Sequence, residues 1–389
     1  MAPDFPFADR LAAVPPYLFA AIDKAKAEVA AQGMDILSLG IGDPDMPTPD
    51  FIIDTLCEAA KKPRNHQYPS YVGMSEYRAA VAAWYKERFG VELDSDREVV
   101  SLIGSKEGIA HFPLAYVNPG DLVLIATPNY PVYGISCAFC GGEVEYLPLV
   151  EENAFLPDLD AIDADTWKRA RIIYLNYPNN PTAAMADRAF YEKLIEKCRE
   201  FEVIVVHDAA YTEIYYDPEN KPLSILEVPG GREVAIEFHS LSKTYNMTGW
   251  RVGMAVGNAG LVAGLGKVKE NVDSGIFQAV QEAGIAALER GEPYAEQFRQ
   301  VYKERRDRVV AALGKAGIDC QVPEATFYIW SKVPEGRSSQ EFVTDVLKRT
   351  GVVVTPGNGF GAPGEGYFRI SLTVDSERLE EAVSRISKL

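Results

Sequence analysis

Basic residues are in deficit. Lysine and arginine number 39 against 56 aspartates and glutamates, a formal charge of −17. That sign excludes a nucleic-acid-binding surface, because phosphates require a basic footprint. It favours solubility and carries no information on fold. Cysteine is scarce as well. Five residues at 57, 137, 140, 198 and 320, odd in number and scattered through 389 positions, exclude a disulfide framework. No uncharged apolar run approaches the ~20 residues of a membrane span, and Met1-Ala2-Pro3-Asp4 lacks the basic and apolar regions of a secretory leader. The expectation is a cytoplasmic protein that engages neither membrane nor nucleic acid.

Two apparent motifs are also discounted. Cys137-Ala138-Phe139-Cys140 fits C-x-x-C, yet no second pair exists, and Tyr133, Ile135 and Phe139 suggest a packed helix. No zinc or redox role is expected there, and no metal elsewhere. Gly359 to Gly364 fits G-x-G-x-x-G. A dinucleotide fingerprint must follow a strand and open a helix. Here Pro363 interrupts it and the strand-like Tyr367-Phe368-Arg369-Ile370-Ser371-Leu372 follows, so the match is a loop.

What is present reads as an ordinary globular chain, 47% apolar and 24% charged, long enough for two domains. Apolar β-rich runs at 99–103, 122–126, 172–175, 203–206, 234–238 and 252–256 alternate with helical stretches. That alternation predicts βαβ units around a mostly parallel sheet covered on both faces. From about 281 the pattern becomes a long amphipathic helix, roughly 291–316, and shorter strands near 326–331, 352–355 and 367–372. The expected fold class is α/β, with a large domain over 46–280 and a smaller α+β domain over 281–389. Residues 1–45 form an arm and part of the small domain.

Ligands in such sheets bind beyond the carboxyl ends of the strands. The first run ends in Gly104-Ser105-Lys106-Glu107-Gly108, small residues opening a helix, which suits an anion. The second presents Tyr130, an aromatic face. The third is followed by Asn176 to Thr182, with Asn180 as an amide. The fourth ends in His207-Asp208, with Tyr211 three residues on. The fifth delivers Ser240, Ser242 and Lys243, and Arg251 follows eight residues later.

Each residue also has an ordinary reading. Lys243 could be a solvated loop lysine, Asp208 an N-cap, Asn179-Asn180-Pro181 plain turn chemistry, and the tyrosines core. Together they supply what a pyridine ring with a phosphate, a phenolic oxygen and an aldehyde needs. Lysine amines form imines with carbonyl cofactors, and pyridoxal 5′-phosphate asks for such an amine beside a phosphate site. On that reading Lys243 is the catalytic amine and proton carrier. Asp208 pairs with the ring nitrogen, Tyr211 and Asn180 serve the phenolic oxygen, and Tyr130 stacks on the ring. Ser105, Lys106, Ser240, Ser242 and Arg251 neutralise the phosphate. Arg369, on a late strand, is a candidate fork for a substrate carboxylate, with a surface salt bridge as the alternative.

With these residues in hand, the chain resembles the class I/II, fold-type I pyridoxal-phosphate aminotransferases over essentially its whole length. The matching segments are Tyr68-Pro69-Ser70-Tyr71-Val72-Gly73 with Arg78, Gly104 to Gly108, Tyr130-Pro131, Asn180-Pro181-Thr182, Asp208-Ala209-Ala210-Tyr211, Ser240-x-Ser242-Lys243 with Gly249-x-Arg251, and Arg369-Ile370-Ser371. Within the family it is most similar to the LL-diaminopimelate aminotransferases. Tyr17-Leu18-Phe19, Leu39 to Asp45, Asn65 to Tyr71 and Asn271 to Gln278 carry that likeness.

The resemblance implies a seven-stranded large-domain sheet and a homodimer with shared sites. It implies that Tyr68 reaches the neighbouring subunit's phosphate, and that Tyr17, Gly42, Tyr130, Asn180 and Arg369 bind substrate. Lys106 is left open between phosphate and a distal carboxylate. Ala183 stands where the family commonly has glycine after Asn-Pro-Thr, a small departure.

The implied activity exchanges an amino group between glutamate/2-oxoglutarate and a second amino/keto acid pair. That pair is expected to be LL-2,6-diaminopimelate and tetrahydrodipicolinate, in lysine biosynthesis. Alanine, aspartate or aromatic amino acids, or a lyase reaction on the same scaffold, are alternatives. A ligand-sensing module would need an attached DNA-binding domain, and a nicotinamide dehydrogenase would need the missing fingerprint.

Overall fold

The computed structural model describes residues 5–12, 14, 26, 28–31 and 33–388. After the short β1 (Leu37–Ser38), seven strands build one sheet: β2 (Val99–Leu102), β3 (Leu122–Thr127), β4 (Glu143–Pro148), β5 (Ala170–Asn176), β6 (Ile204–Asp208), β7 (Ala235–Ser240) and β8 (Gly253–Gly257). Their order is β2-β8-β7-β6-β5-β3-β4. β8 runs antiparallel to both its neighbours, and every other pairing is parallel.

Side chains alternate across a strand, and here both sets are apolar. Leu122, Leu124, Ile173, Leu175, Val203 and Val205 enter one core with the helices Asp50–Ala60, Ser75–Phe89, Arg188–Phe201 and Gln278–Arg290. Val123, Ile125, Ile172, Tyr174, Ile204 and Val206 enter a second core, under Ser105–Tyr116, Val132–Phe139 and Ala259–Val272. Ile173 and Val205 have no exposed surface, and each such burial contributes about 1.5–3 kcal/mol. This double covering is why the strands read as unbroken apolar runs.

β4 is absent from those runs for the complementary reason. It lies at the sheet edge with Glu143, Glu145 and Tyr146 exposed, so it lacks the apolar signature, and charge on an edge blocks further pairing.

The second sheet comprises β9 (Tyr328–Lys332), β11 (Thr355–Pro356) and β12 (Tyr367–Ser371), antiparallel in the order β11-β12-β9; β10 (Val352–Val353) pairs with β1 in parallel. Its core takes Phe342 and Val346 from Ser339–Thr350, Val309 and Leu313 from Glu292–Lys315, and Leu379 from Ser376–Ile386. Ser338 and Glu341 start the first of these helices with a reciprocal capping box, and Gly351 ends it at φ 72°. Tyr211, Ile214 and Tyr216, which follow β6, belong to this same core. Hydrogen bonds from Tyr216 N to Glu324 O (3.0 Å) and from Thr326 N to Ile214 O (2.8 Å) fasten that segment.

The helix Gln278–Arg290 runs unbroken through 280 and 281, where the sequence pattern changes. Its Ala283 and Ala287 pack in the large sheet's core. Gly359 to Gly364 form two short 3-10 turns before β12, not a strand-to-helix turn. All five cysteines are free. Among the described residues, no helix is long and apolar enough to cross a membrane.

Candidate active site

Strand register gathers the site. Asn176 pairs with Asp208 and Asp208 with Phe238, so β5, β6 and β7 end on one edge of the sheet. Because β8 is antiparallel, its first residue, Gly253, pairs with both Ser240 and Leu102. That brings Arg251, just before β8, and Gly104-Ser105, just after β2, to the same edge. Residues 150 positions apart thus converge through pairing alone.

Asp208 is buried on this edge. Its Oδ2 accepts from the Tyr133 hydroxyl at 2.7 Å, while Oδ1 is buried with no partner. Burial pushes its carboxyl above the usual range, and the Tyr133 hydrogen bond and the nearby His207 and His239 oppose that. Behind it, the fully buried Glu237 lies 2.7 Å from a ring nitrogen of His207 and 2.7 Å from one of His239. Glu237 also accepts from Tyr85 (2.5 Å), Ser224 Oγ (2.9 Å) and Ile225 N (3.0 Å). Burial alone would raise Glu237; the imidazoles outweigh it and hold the carboxyl well below the usual range. This polar cluster fixes the ends of β6 and β7.

Asn176 shapes the next loop. Its Nδ2 donates to Asp208 O (2.7 Å) and its Oδ1 accepts from Asn180 N (2.8 Å). Asn179 Oδ1 then accepts from both the backbone N and the hydroxyl of Thr182, at 2.9 and 2.7 Å. Ala183, after this turn, has φ 61°, the left-handed conformation that glycine adopts most easily.

Lys243 sits in the turn Leu241–Thr244, partly buried, with Nζ donating to Gly42 O at 2.8 Å and lying 5.6 Å from the Phe327 ring. Burial pulls its amine down to about 8; the charge of Asp43 opposes that, and the weaker fields of Arg369 and Arg251 add to it. Beside it Ser240 Oγ accepts from Ser242 N (3.2 Å), and Ser242 Oγ is buried without a partner.

Gly104 has φ 74°, and a Cβ there would lie 2.3 Å from Arg251 Nη2. Only glycine admits that guanidinium against the start of the helix Ser105–Tyr116. Ser105, Ser240, Ser242 and Arg251 thus lie at one sheet edge beside a helix N-terminus, an arrangement that could hold an anion. Tyr130, whose ring meets Tyr133 edge-on at 6.0 Å, is partly buried; the exposed Lys106 places Nζ 5.8 Å from the Tyr130 ring.

Arg369 stands across from this edge, on β12. It is 4% exposed, and its fork donates to Asn180 Oδ1 and Gly40 O, both at 2.7 Å. It is not a surface salt bridge: its hydrogen-bond acceptors are neutral, its Nε has no partner, and burial lowers its pKa. A buried cation without a counter-charge is costly unless an anion completes it, so Arg369 could receive a carboxylate.

Tyr211 donates to, or accepts from, the Tyr328 hydroxyl at 3.1 Å. Tyr68 is 89% exposed, so its own protomer does not cover it. Tyr17 lies outside the described residues. Tyr133 and Tyr328 were not among the expected residues. The spacing Tyr130-Pro131-Val132-Tyr133 places both rings one helical turn apart and was the available signal for the first. Tyr328 gave none.

Glu107, His111 and Asp273 cluster as metal ligands can, but Lys269 Nζ lies among them, 3.0 Å from Glu107 and 3.1 Å from Asp273. Its ammonium already pairs with both carboxylates.

Residues 34–386 match the family described as aminotransferase class I and II. The chain belongs to that family. The aminotransferase is 72% identical over 387 residues to the LL-diaminopimelate aminotransferase of Nitratidesulfovibrio vulgaris (strain DSM 19637 / Miyazaki F), covering 99% of this chain and 100% of that one. It is 70% identical over 387 residues to the enzyme of that name from Maridesulfovibrio salexigens, covering the whole of both chains. Among solved structures, the aminotransferase superposes on substrate-bound BacF from Bacillus subtilis with a TM-score of 0.94. The two are 36% identical, with 99% of this chain and 98% of that one covered.

Proposed function

We propose that the protein exchanges the amino group of LL-2,6-diaminopimelate with 2-oxoglutarate, giving tetrahydrodipicolinate and glutamate, with pyridoxal 5′-phosphate as cofactor. Identity of 70–72% along the full length to proteins named LL-diaminopimelate aminotransferase supports the substrate. The cofactor reading rests on a fit. A buried carboxylate oxygen, Asp208 Oδ1, and a buried hydroxyl, Ser242 Oγ, lack partners beside a partly buried amine and a helix N-terminus.

When bound, pyridoxal phosphate supplies an aldehyde that accepts the amino group and a ring that takes up the electrons released at the substrate Cα. Asp208 would hold the ring nitrogen in its protonated form. Asn180 and Tyr211 would serve the phenolic oxygen, and Tyr130 would cover one ring face. Ser105, Ser240, Ser242 and Arg251 would hold the phosphate, completed by Tyr68 of the partner subunit in a homodimer. Lys106 would serve either that phosphate or the distal carboxylate.

Lys243 carries the proton. With its amine near 8 rather than the ordinary ~10.4, a usable fraction is free base near neutral pH. Gly42 O holds that amine by a 2.8 Å hydrogen bond, and the Arg369 fork would fix the substrate α-carboxylate on the same side. Gly42 and Tyr17 would complete the substrate wall. We also propose that the large unit extends through Arg290 and the smaller one follows, and that the enzyme is cytoplasmic.

The test is a half-reaction. Glutamate added to cofactor-loaded protein should convert the visible absorbance to that of the amine form and release one equivalent of 2-oxoglutarate. Unchanged absorbance with no 2-oxoglutarate would rule out the glutamate step.

A further inference from the structure

Tyr328 stands where three parts of this site meet, Arg369, Tyr211 and the Gly42 peptide. It opens β9, is 3% exposed, and shares a sheet face with Arg369: residues paired across antiparallel strands point the same way, Trp330 pairs with Arg369, and Tyr328 lies two positions from Trp330. The Arg369 guanidinium lies 4.2 Å from the Tyr328 ring centroid, a cation–π contact. At its other end the Tyr328 hydroxyl lies 3.1 Å from that of Tyr211. A Cβ on Gly42 would come within 1.9 Å of the same hydroxyl oxygen. The phenol is therefore pressed against the peptide whose carbonyl accepts from Lys243.

We propose that Tyr328 is a positioning residue that couples carboxylate capture to proton control: its ring face steadies the Arg369 fork, and its hydroxyl steadies Tyr211 and the Gly42 peptide that holds the Lys243 amine. The inference rests on the aminotransferase reading above and adds a residue to it. A phenylalanine would fill the same space and keep the face under Arg369, so packing does not explain the hydroxyl. Among the described residues, the hydroxyl's hydrogen-bond partner is that of Tyr211. If Tyr328 donates, Tyr211 keeps its own proton for the phenolic oxygen it serves. Besides burial, the groups acting on the Tyr328 hydroxyl are Arg369, the Tyr211 hydrogen bond, Tyr130 and Asp43, and Lys243 faces it only across the Gly42 peptide. Burial raises the phenol, so the hydroxyl stays a donor across the working pH range.

Two substitutions separate ring from hydroxyl. Tyr328→Phe should keep KM for glutamate within about two-fold and lower kcat about ten-fold. It should also move the pH midpoint of the bound cofactor's visible absorbance upward, because the oxygen served by Tyr211 becomes more basic when its donor weakens. Tyr328→Leu should in addition raise KM for every α-carboxylate substrate about ten-fold, by removing the face under Arg369.

A third arm needs neither cofactor nor turnover. Maleate, a dicarboxylate, should raise the Tm of cofactor-free wild type and Tyr328→Phe but not of Tyr328→Leu. Failure of the glutamate half-reaction in wild type, with the absorbance and maleate arms as expected, would remove the reaction and leave the coupling standing. Tyr328→Phe with an unmoved midpoint and wild-type kcat, or Tyr328→Leu with wild-type maleate stabilisation, would overturn the proposal.

Discussion

The two walls of the candidate site are built on opposite plans. The wall at the seven-stranded sheet takes its groups from successive strand ends, Ser105, Asp208, Ser240, Lys243 and Arg251, set by the register of paired strands. The wall at the smaller sheet centres on Arg369, joined by single hydrogen bonds to Gly40 and to Asn180 across the chain, while Tyr328 bridges the two walls. The first holds orphaned acceptors and donors suited to one fixed ring. The second holds a buried cation that neutral carbonyls only partly satisfy. A wall made of strand ends suits a resident group, whereas a wall made of loosely joined pieces suits a ligand that comes and goes.

If that contrast is right, damage to the first wall should abolish chemistry and damage to the second should weaken binding. The largest effect belongs to Lys243→Ala, expected to lower transamination about 10⁴-fold, the scale of a lost general base and acid. Steady-state glutamate formation measures it, and normal turnover would remove Lys243 from the site. Asp208→Asn should follow, at about 10³-fold in kcat with little change in KM, since it removes a charge preorganised for the transition state.

Arg369→Lys crosses to the second wall. A lysine loses the bidentate fork, costing about 2 kcal/mol of binding, or roughly 30-fold in kcat/KM, expressed mainly in KM. A fall in kcat at constant KM would place Arg369 in the chemistry and break the contrast. The smallest change is Tyr133→Phe, which removes one hydrogen bond to Asp208 and should cost about 1 kcal/mol, roughly five-fold in kcat.

The pH behaviour sharpens the same comparison. Burial lowers the folded-state amine of Lys243 to about 8, so its free-base fraction rises as pH climbs through that value. In cofactor-free protein an amine-directed reagent should label Lys243 with a midpoint near 8. A midpoint near that of an ordinary lysine, ~10.4, would show an amine in open solvent.

Legibility in the sequence follows the same division. The first wall could be read because each strand ends in the functional residue, so chain order carried the geometry: Asp208 closes an apolar run, and Lys243 follows another. β4 could not be read as a run, because an exposed edge strand carrying Glu143 and Glu145 offers only Val144 and Leu147 to the cores. Tyr133 was half legible, one turn after Tyr130, yet its bond to Asp208 needs the helix to be docked. Tyr328 was illegible, since its contacts to Gly42, Tyr211 and Arg369 are far apart in the chain and depend on how the smaller sheet meets the larger. Arg369 was visible as a candidate, while its burial, which separates a receptor from a surface ion pair, was not. Tyr68 is 89% exposed, and the role proposed for it depends on a partner subunit that chain order does not reveal.

The central claim, an amino-group exchange specific for a diamino dicarboxylate, is tested most directly by one assay. Initial rates of glutamate formation from 2-oxoglutarate should be compared with LL-diaminopimelate, alanine and aspartate as donors at equal concentration. Rapid glutamate formation with LL-diaminopimelate and little with the other two is the expected result. Rates with alanine or aspartate that equal or exceed it would contradict the account.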